Sequence, residues 1–370
     1  MAVPEDMPSD EELEALGLYS PSWPDADVHL QLLRSAFDHG ATIEEVGRAV
    51  RKHFNVGPLL LDLALRPDGE TMDLAAFADR HENPALVRRI WSAFGLSDAP
   101  DSMVRVTPDA AEAVGVLEVL SHTAGEDVAL GLARIVGSSM ERLAEAIADT
   151  FRVLDEVPKL KTGTTRAQVA EAYTEFAPAV LPMLLDAVAA VFRRQLIQVS
   201  FDTWSTDSDD TAVTRHRTVC FADLVGSTET IRSVSNKEMA RLLHRFEQLV
   251  WGLVSAHGGR VVKFIGDEAM FVLPDADAAC TVGLELMARS ERPVRIGMAH
   301  GEVIGMLGDY FGPTVNLAAR LVDLADASTI ALSQTVRESC RLPLTFTPDG
   351  AQMLKGFAEP VQVFRLTGTP

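Results

Sequence analysis

The apolar spacing of this chain changes period once, near residue 210, and that change restricts it to a two-part architecture. Before it, Ala, Leu, Glu, Arg and Val dominate, apolar residues recur at helical spacing, and strand-like alternation is scarce. After it, apolar runs of strand length alternate with amphipathic helical segments. The tract between carries four aspartates within residues 201–210 and too little apolar surface to fold alone, so it reads as a linker. A chain of 370 residues accommodates two domains. The expected division is a helical domain over 1–203, an acidic linker over 204–215 and a mixed domain over 216–370.

Charge divides at the same place. Residues 1–210 hold 36 of the 53 acidic side chains but only 17 of the 33 basic ones. So acidic a half repels nucleic-acid polymers and anionic lipid, and a helix-turn-helix reading of residues 39–95 is disfavoured accordingly. Cys220, Cys280 and Cys340 form no CxxC pair, which excludes a disulfide framework and a zinc knuckle. The acidic N-terminus has no signal-peptide pattern, and the most apolar stretch, 177–192, contains Asp186 and is short for a bilayer. The expectation is a cytoplasmic protein without a membrane span.

In the first half, Thr42-Ile-Glu-Glu45 is a capping box ahead of a helical pattern through Val46, Val50 and Phe54. Further helices are expected over 25–38, 74–94, 108–122, 127–154 and 166–199. In the second half, strands are expected over 218–222, 260–264, 269–273, 294–299 and 303–307. Helices are expected over 237–256, 275–289 and 313–325. The order β-α-β-β-α-β is the ferredoxin-like arrangement.

Three segments of the second half carry chemistry. In Phe221-Ala-Asp223-Leu-Val-Gly226-Ser-Thr228, an aspartate follows a strand and precedes a Gly-Ser-Thr turn. A hard carboxylate beside free backbone N–H groups suits a metal ion carrying a polyphosphate. In Lys263-Phe-Ile-Gly266-Asp267, a second aspartate occupies a hairpin tip, where Gly266 permits the sharp turn. If the strands are neighbours, Asp223 and Asp267 form a two-metal site for in-line attack at phosphorus. In Gly308-Asp309-Tyr-Phe-Gly312-Pro-Thr-Val-Asn316-Leu-Ala-Ala-Arg320, an amide and a guanidinium fall at i and i+4 on one helical face. Such a face can grip a ribose and a developing phosphate charge.

These motifs, with LKGFAEPVQVFRL near the end, resemble the catalytic domain of class III nucleotide cyclases over about 216–366. The resemblance implies an α+β fold: a ferredoxin-like catalytic domain preceded by an all-α regulatory domain. It implies an adenylate cyclase that forms cyclic AMP and pyrophosphate from ATP with two divalent metal ions, Mg2+ or Mn2+. By position, Asp223 and Asp267 resemble the metal-binding aspartates, with the backbone carbonyl of Leu224 as a further ligand. Lys263 and Asp309 match the adenine-reading pair, Asn316 the ribose-orienting amide and Arg320 the transition-state arginine. Lys355 resembles a phosphate-contacting lysine. Ser227 departs from the aromatic residue of many members. The resemblance further implies a head-to-tail homodimer, in which one subunit supplies the two aspartates and a second copy supplies Lys263, Asp309, Asn316 and Arg320.

The alternatives are a guanylate cyclase, which favours a carboxylate at position 263, and a nucleotide-binding sensor without turnover. A diguanylate cyclase is disfavoured because Ile265-Gly-Asp-Glu-Ala is not its Gly-Gly hairpin. The helical half is more loosely similar to the regulatory domain of soluble actinobacterial cyclases, some of which respond to pH. His29, His39, His53, His81 and His122 lie in that half, and His216 beside the linker, so control by pH is expected through these side chains.

Overall fold

The computed structural model describes residues 7–53, 56–96, 105–204, 214–226 and 235–366. It divides into two compact units, Met1–Gln198 and Val199–Pro370. The boundary falls a few residues before the expected linker, most of which lies outside the described residues, as do Phe54, Ser227 and Thr228.

The first unit is helical and contains two small cores. In one, α1 (Asp10–Ala15), α2 (Ala26–Asp38), α3 (Ile43–His53) and α4 (Gly57–Leu65) enclose Leu13, Leu33, Val46, Val50 and Leu60. The Thr42 capping box forms as the sequence predicts: the Glu45 backbone N–H donates to the Thr42 hydroxyl, and the Glu45 carboxylate accepts from the Thr42 N–H. The other core gathers Phe77, Leu86, Ile90, Trp91 and Leu117. Around it, strand β1 (Met72–Asp73) leads into α5 (Leu74–Ala78) and α6 (Pro84–Ala93), and β2 (Arg105–Val106) into α7 (Pro108–Ala124) and α8 (Glu126–Phe151).

The single helix expected over 74–94 is therefore two. Pro84 disfavours helical geometry at Asn83, whose side chain instead accepts from the Leu86 N–H and starts α6. The helix expected over 127–154 runs further than its pattern suggests, through a π-helical turn at Arg152–Glu156 into α9 (Val157–Lys161). Pro158 has no N–H to return to residue 154, and the ladder widens at that point. Helix α10 spans Arg166–Trp204, so Trp204 is helical rather than linker. Its segment Arg166–Ser200 is long and apolar enough to cross a membrane by length and composition, so the shortness of 177–192 does not exclude a span.

The second unit is built on an eight-stranded sheet. Strand β3 (Thr214–Leu224) is followed by α11 (Asn236–Ala256), the hairpin β4 (Arg260–Ile265) and β5 (Glu268–Leu273), α12 (Ala276–Arg289) and β6 (Val294–Met306). The order β4-β5-β3-β6, all antiparallel, is ferredoxin-like, as the alternation in the sequence predicts. Thr214 and Arg215, assigned to the linker from sequence, are strand residues, because β3 pairs with β6 from Thr214 onward. That ladder is unbroken, so the two strands expected over 294–307 are one. Strand β7 (Asp309–Phe311) folds back on β6, then α13 (Pro313–Leu324), β8 (Ile330–Ser333), α14 (Gln334–Ser339), β9 (Phe346–Gln352) and β10 (Val361–Leu366) complete the unit.

Strand alternation splits β3 between two cores. Cys220, Ala222 and Leu224 join the core with Phe246 and Val250 of α11 and Leu286 of α12. Val219 and Phe221 pack with Ala318 and Leu321 of α13. Helix α13 sits directly on Gly297 of β6, where an added Cβ would lie 2.1 Å from the Val322 nitrogen and 2.4 Å from the Ala318 oxygen. Backbone cannot yield as a side-chain tip can. Gly297→Ala should therefore cost about 1–3 kcal/mol in urea unfolding of the full chain by lifting α13 from the sheet. A change within about 0.5 kcal/mol, the range of ordinary surface substitutions, would contradict that packing.

Candidate active site

The site begins at the C-terminal end of β3. Antiparallel register places Asp223 between Glu268 of β5 and Arg295 of β6, so three charged side chains form a row across three adjacent strands. The Arg295 guanidinium donates to Asp223 Oδ2 from Nε at 2.7 Å, and its Nη2 stands 2.6 Å from the same oxygen. Burial pushes the Asp223 carboxyl above the usual range, the Asp267 charge adds to that, and Arg295 opposes it. Glu268 is pushed up to about 7, first by burial and then by the charges of Asp223 and Asp323. Sequence reading missed Arg295, which carries no motif of its own; only strand register puts it beside Asp223.

Asp267 occupies the β4–β5 turn, where Ile265 pairs with Glu268 and Gly266 takes a φ of +65°. Its backbone carbonyl accepts from the Leu224 N–H at 3.3 Å, tying the hairpin tip to the end of β3. The two aspartates expected to share a site are thus brought together. As hard oxygen donors they suit divalent cations. Among the described residues no group of three or more His, Cys, Asp or Glu side chains is arranged to hold a metal.

A second grouping lies on β4 and β7. A register shift between Val261 and Lys263 re-aims β4, and Lys263 Nζ donates to Asp309 Oδ2 at 2.5 Å. The other Asp309 oxygen accepts from the Tyr310 N–H at 2.8 Å. Asn316 and Arg320 share α13 as the i, i+4 spacing requires. Asn316 is exposed, and Arg320 is 3.5 Å from Asp323 one turn on. No described contact joins either residue to the aspartates or to the Lys263–Asp309 pair. Lys355 is exposed in the turn between β9 and β10.

The fold is that of an α+β domain with these two groupings on its sheet. Residues 211–368 match the adenylate and guanylate cyclase catalytic domain family. An uncharacterised protein of Mycobacterium tuberculosis is 31% identical, over 97% of this chain and 94% of its own length. An adenylate cyclase of Streptomyces coelicolor is 33% identical over 74% of this chain and 70% of its own. A pH-sensitive adenylate cyclase of M. tuberculosis is 26% identical over 76% and 74%. The chain belongs to the class III cyclase family, with the catalytic domain of an enzyme, and members of that family use divalent metal ions.

The half-buried ion pair at Asp223 has a measurable consequence. Removing Arg295 leaves two neighbouring carboxylates without their cation. In chelator at pH 7.5, Arg295→Met should lose about 1–3 kcal/mol of stability, and a double-mutant cycle with Asp223→Asn should return a coupling of about 1–2 kcal/mol. Additive effects of the two substitutions would contradict the pairing.

Proposed function

We propose that this chain is an adenylate cyclase, which converts ATP to 3′,5′-cyclic AMP and pyrophosphate by attack of the ribose 3′-hydroxyl on the α-phosphorus. The observation that carries this reading is the Lys263–Asp309 pair, a cationic donor and an anionic acceptor held side by side. Adenine offers a ring-nitrogen acceptor next to an amino donor, and that edge takes one hydrogen bond from each member. Guanine presents the same two kinds of group in the opposite order, a carbonyl acceptor where adenine has its amino donor and an N–H donor where adenine has its ring acceptor. A pair held in the adenine-reading order then meets acceptor with acceptor and donor with donor, which disfavours the guanylate alternative.

Asp223 and Asp267 would hold two divalent ions, Mg2+ or Mn2+, which would supply Lewis-acid polarisation of the phosphate chain and activation of the attacking hydroxyl. Arg295 holds Asp223 in place by its ion pair. Asn316 orients the ribose, Arg320 neutralises charge developing at phosphorus, and Lys355 adds a phosphate contact. Supporting a composite site, Asn316 and Arg320 touch neither grouping in the described contacts, while Ile265, Met306, Leu307 and Phe311 around the Lys263–Asp309 pair are exposed apolar residues suited to a self-association face. Two copies arranged head to tail complete two sites.

Residues 1–203 regulate this domain. Support for pH as a signal comes from the M. tuberculosis relative named pH-sensitive. The reading includes a cytoplasmic location, where ATP is available, with α10 serving the helical domain rather than spanning a bilayer.

Two experiments bear on these assignments. Asp223→Ala and Arg320→Ala chains should each be inactive alone, and mixing them should restore roughly a quarter to a half of native activity as heterodimers with one intact site form. No recovery after demonstrated subunit exchange would exclude the shared site. Residues 212–370 alone should stay active with a flatter profile from pH 5.5 to 8 than the full chain. Superimposable profiles would remove the pH role of the helical half.

A further inference from the structure

Arg260 stands on β4 three residues before Lys263, and its side chain leaves that strand for the turn between β6 and β7. Its Nη2 donates to the Gly308 carbonyl, and its guanidinium lies over the Tyr310 ring, 5.6 Å from the centroid. Tyr310 is buried in the core beneath α13, so the ring is a fixed platform. The turn is strained: Leu307 takes a φ of +51°, unfavourable for a side chain branched beyond Cβ, and Gly308 follows at +80°. Leu307 is half exposed within its own chain, so packing inside the subunit does not hold it in that conformation.

Strand β7 pairs with β6 and not with β4. Among the described residues, the hairpin carrying Asp309 is tied to the strand carrying Lys263 by two polar bridges, Lys263 to Asp309 and Arg260 to Gly308. A nucleobase read by Lys263 and Asp309 uses the groups of the first bridge. The second then sets their separation.

On the reading that Lys263 and Asp309 recognise the base, we infer that Arg260 is a positioning residue for purine selection. It clamps the strained Leu307–Gly308 turn and fixes the spacing of the donor on β4 and the acceptor on β7. It touches neither the metal-binding aspartates nor α13 in the described contacts, so its loss should act on base choice rather than on the chemical step.

The test uses the full chain, with kcat and KM measured for ATP and GTP in Arg260→Met, in Arg260→Met with Leu307→Gly, and in Lys263→Ala as the reference. Arg260→Met should lower the ATP-over-GTP ratio of kcat/KM about 10-fold, mainly through KM for ATP, with kcat at saturating ATP within about 3-fold of native. Leu307→Gly relieves the left-handed strain and should return a substantial part of the lost ratio, which a merely destabilised protein would not show. Where Arg260→Met fails to fold, Arg260→Leu, which likewise removes both the donor to Gly308 and the cation over the ring, carries the same expectation. A native ratio in the Arg260 variants, with a collapsed ratio in Lys263→Ala, overturns the positioning role alone. A native ratio in Lys263→Ala overturns the base-reading assignment and this inference with it.

Discussion

Carboxylates crowded at one end of a sheet repel one another, and the second domain is organised around answering that repulsion. Asp223 faces Glu268 on one side and Arg295 on the other, with Asp267 at the adjoining hairpin tip. Burial raises the cost of the charges on Asp223 and Glu268, whose carboxyls it pushes upward. One guanidinium offsets part of that cost; divalent cations suit the remainder. A region that stores uncompensated negative charge in this way is prepared for a positively charged ligand before any arrives.

The same register argument extends outward. The β3–β6 ladder fixes Arg295 beside Asp223, and the close approach of α13 to Gly297 two residues further along β6 fixes the helix that carries Asn316 and Arg320. The turn that follows β6 brings Asp309 back to Lys263. Three chemically distinct parts of the candidate site therefore depend on one long strand pair, and small errors in its register would misplace all of them.

Much of this was legible in the sequence because each motif coincides with a local structural requirement. Asp223 ends a strand, Gly266 makes the hairpin turn at Asp267, and Pro313 opens the helix of Asn316 and Arg320; turn and cap chemistry is readable residue by residue. Arg295 was not legible, because its significance lies in a cross-strand neighbour 72 positions away. The split at Asn83–Pro84 was marked by the polar tract 79–83 and by Pro84, which the expected helix over 74–94 ran through, whereas the unbroken β6 was hidden by His300-Gly301, whose turn-like composition is overridden by pairing with β3. Trp204 and Thr214 show the same limit at the domain boundary, where composition marks a linker but helix and strand extend into it from either side.

On the proposed function, the Lys263–Asp309 pair and the paired aspartates make this chain a cyclase for ATP. The direct measurement is turnover by the purified full chain with ATP or GTP, each with Mg2+ or Mn2+, following cyclic nucleotide and pyrophosphate together. ATP should yield equal amounts of cyclic AMP and pyrophosphate, abolished by chelation, and GTP little or no cyclic GMP. Cyclic GMP as the main product, or nucleotide binding without any cyclic product under all four conditions, would contradict that function.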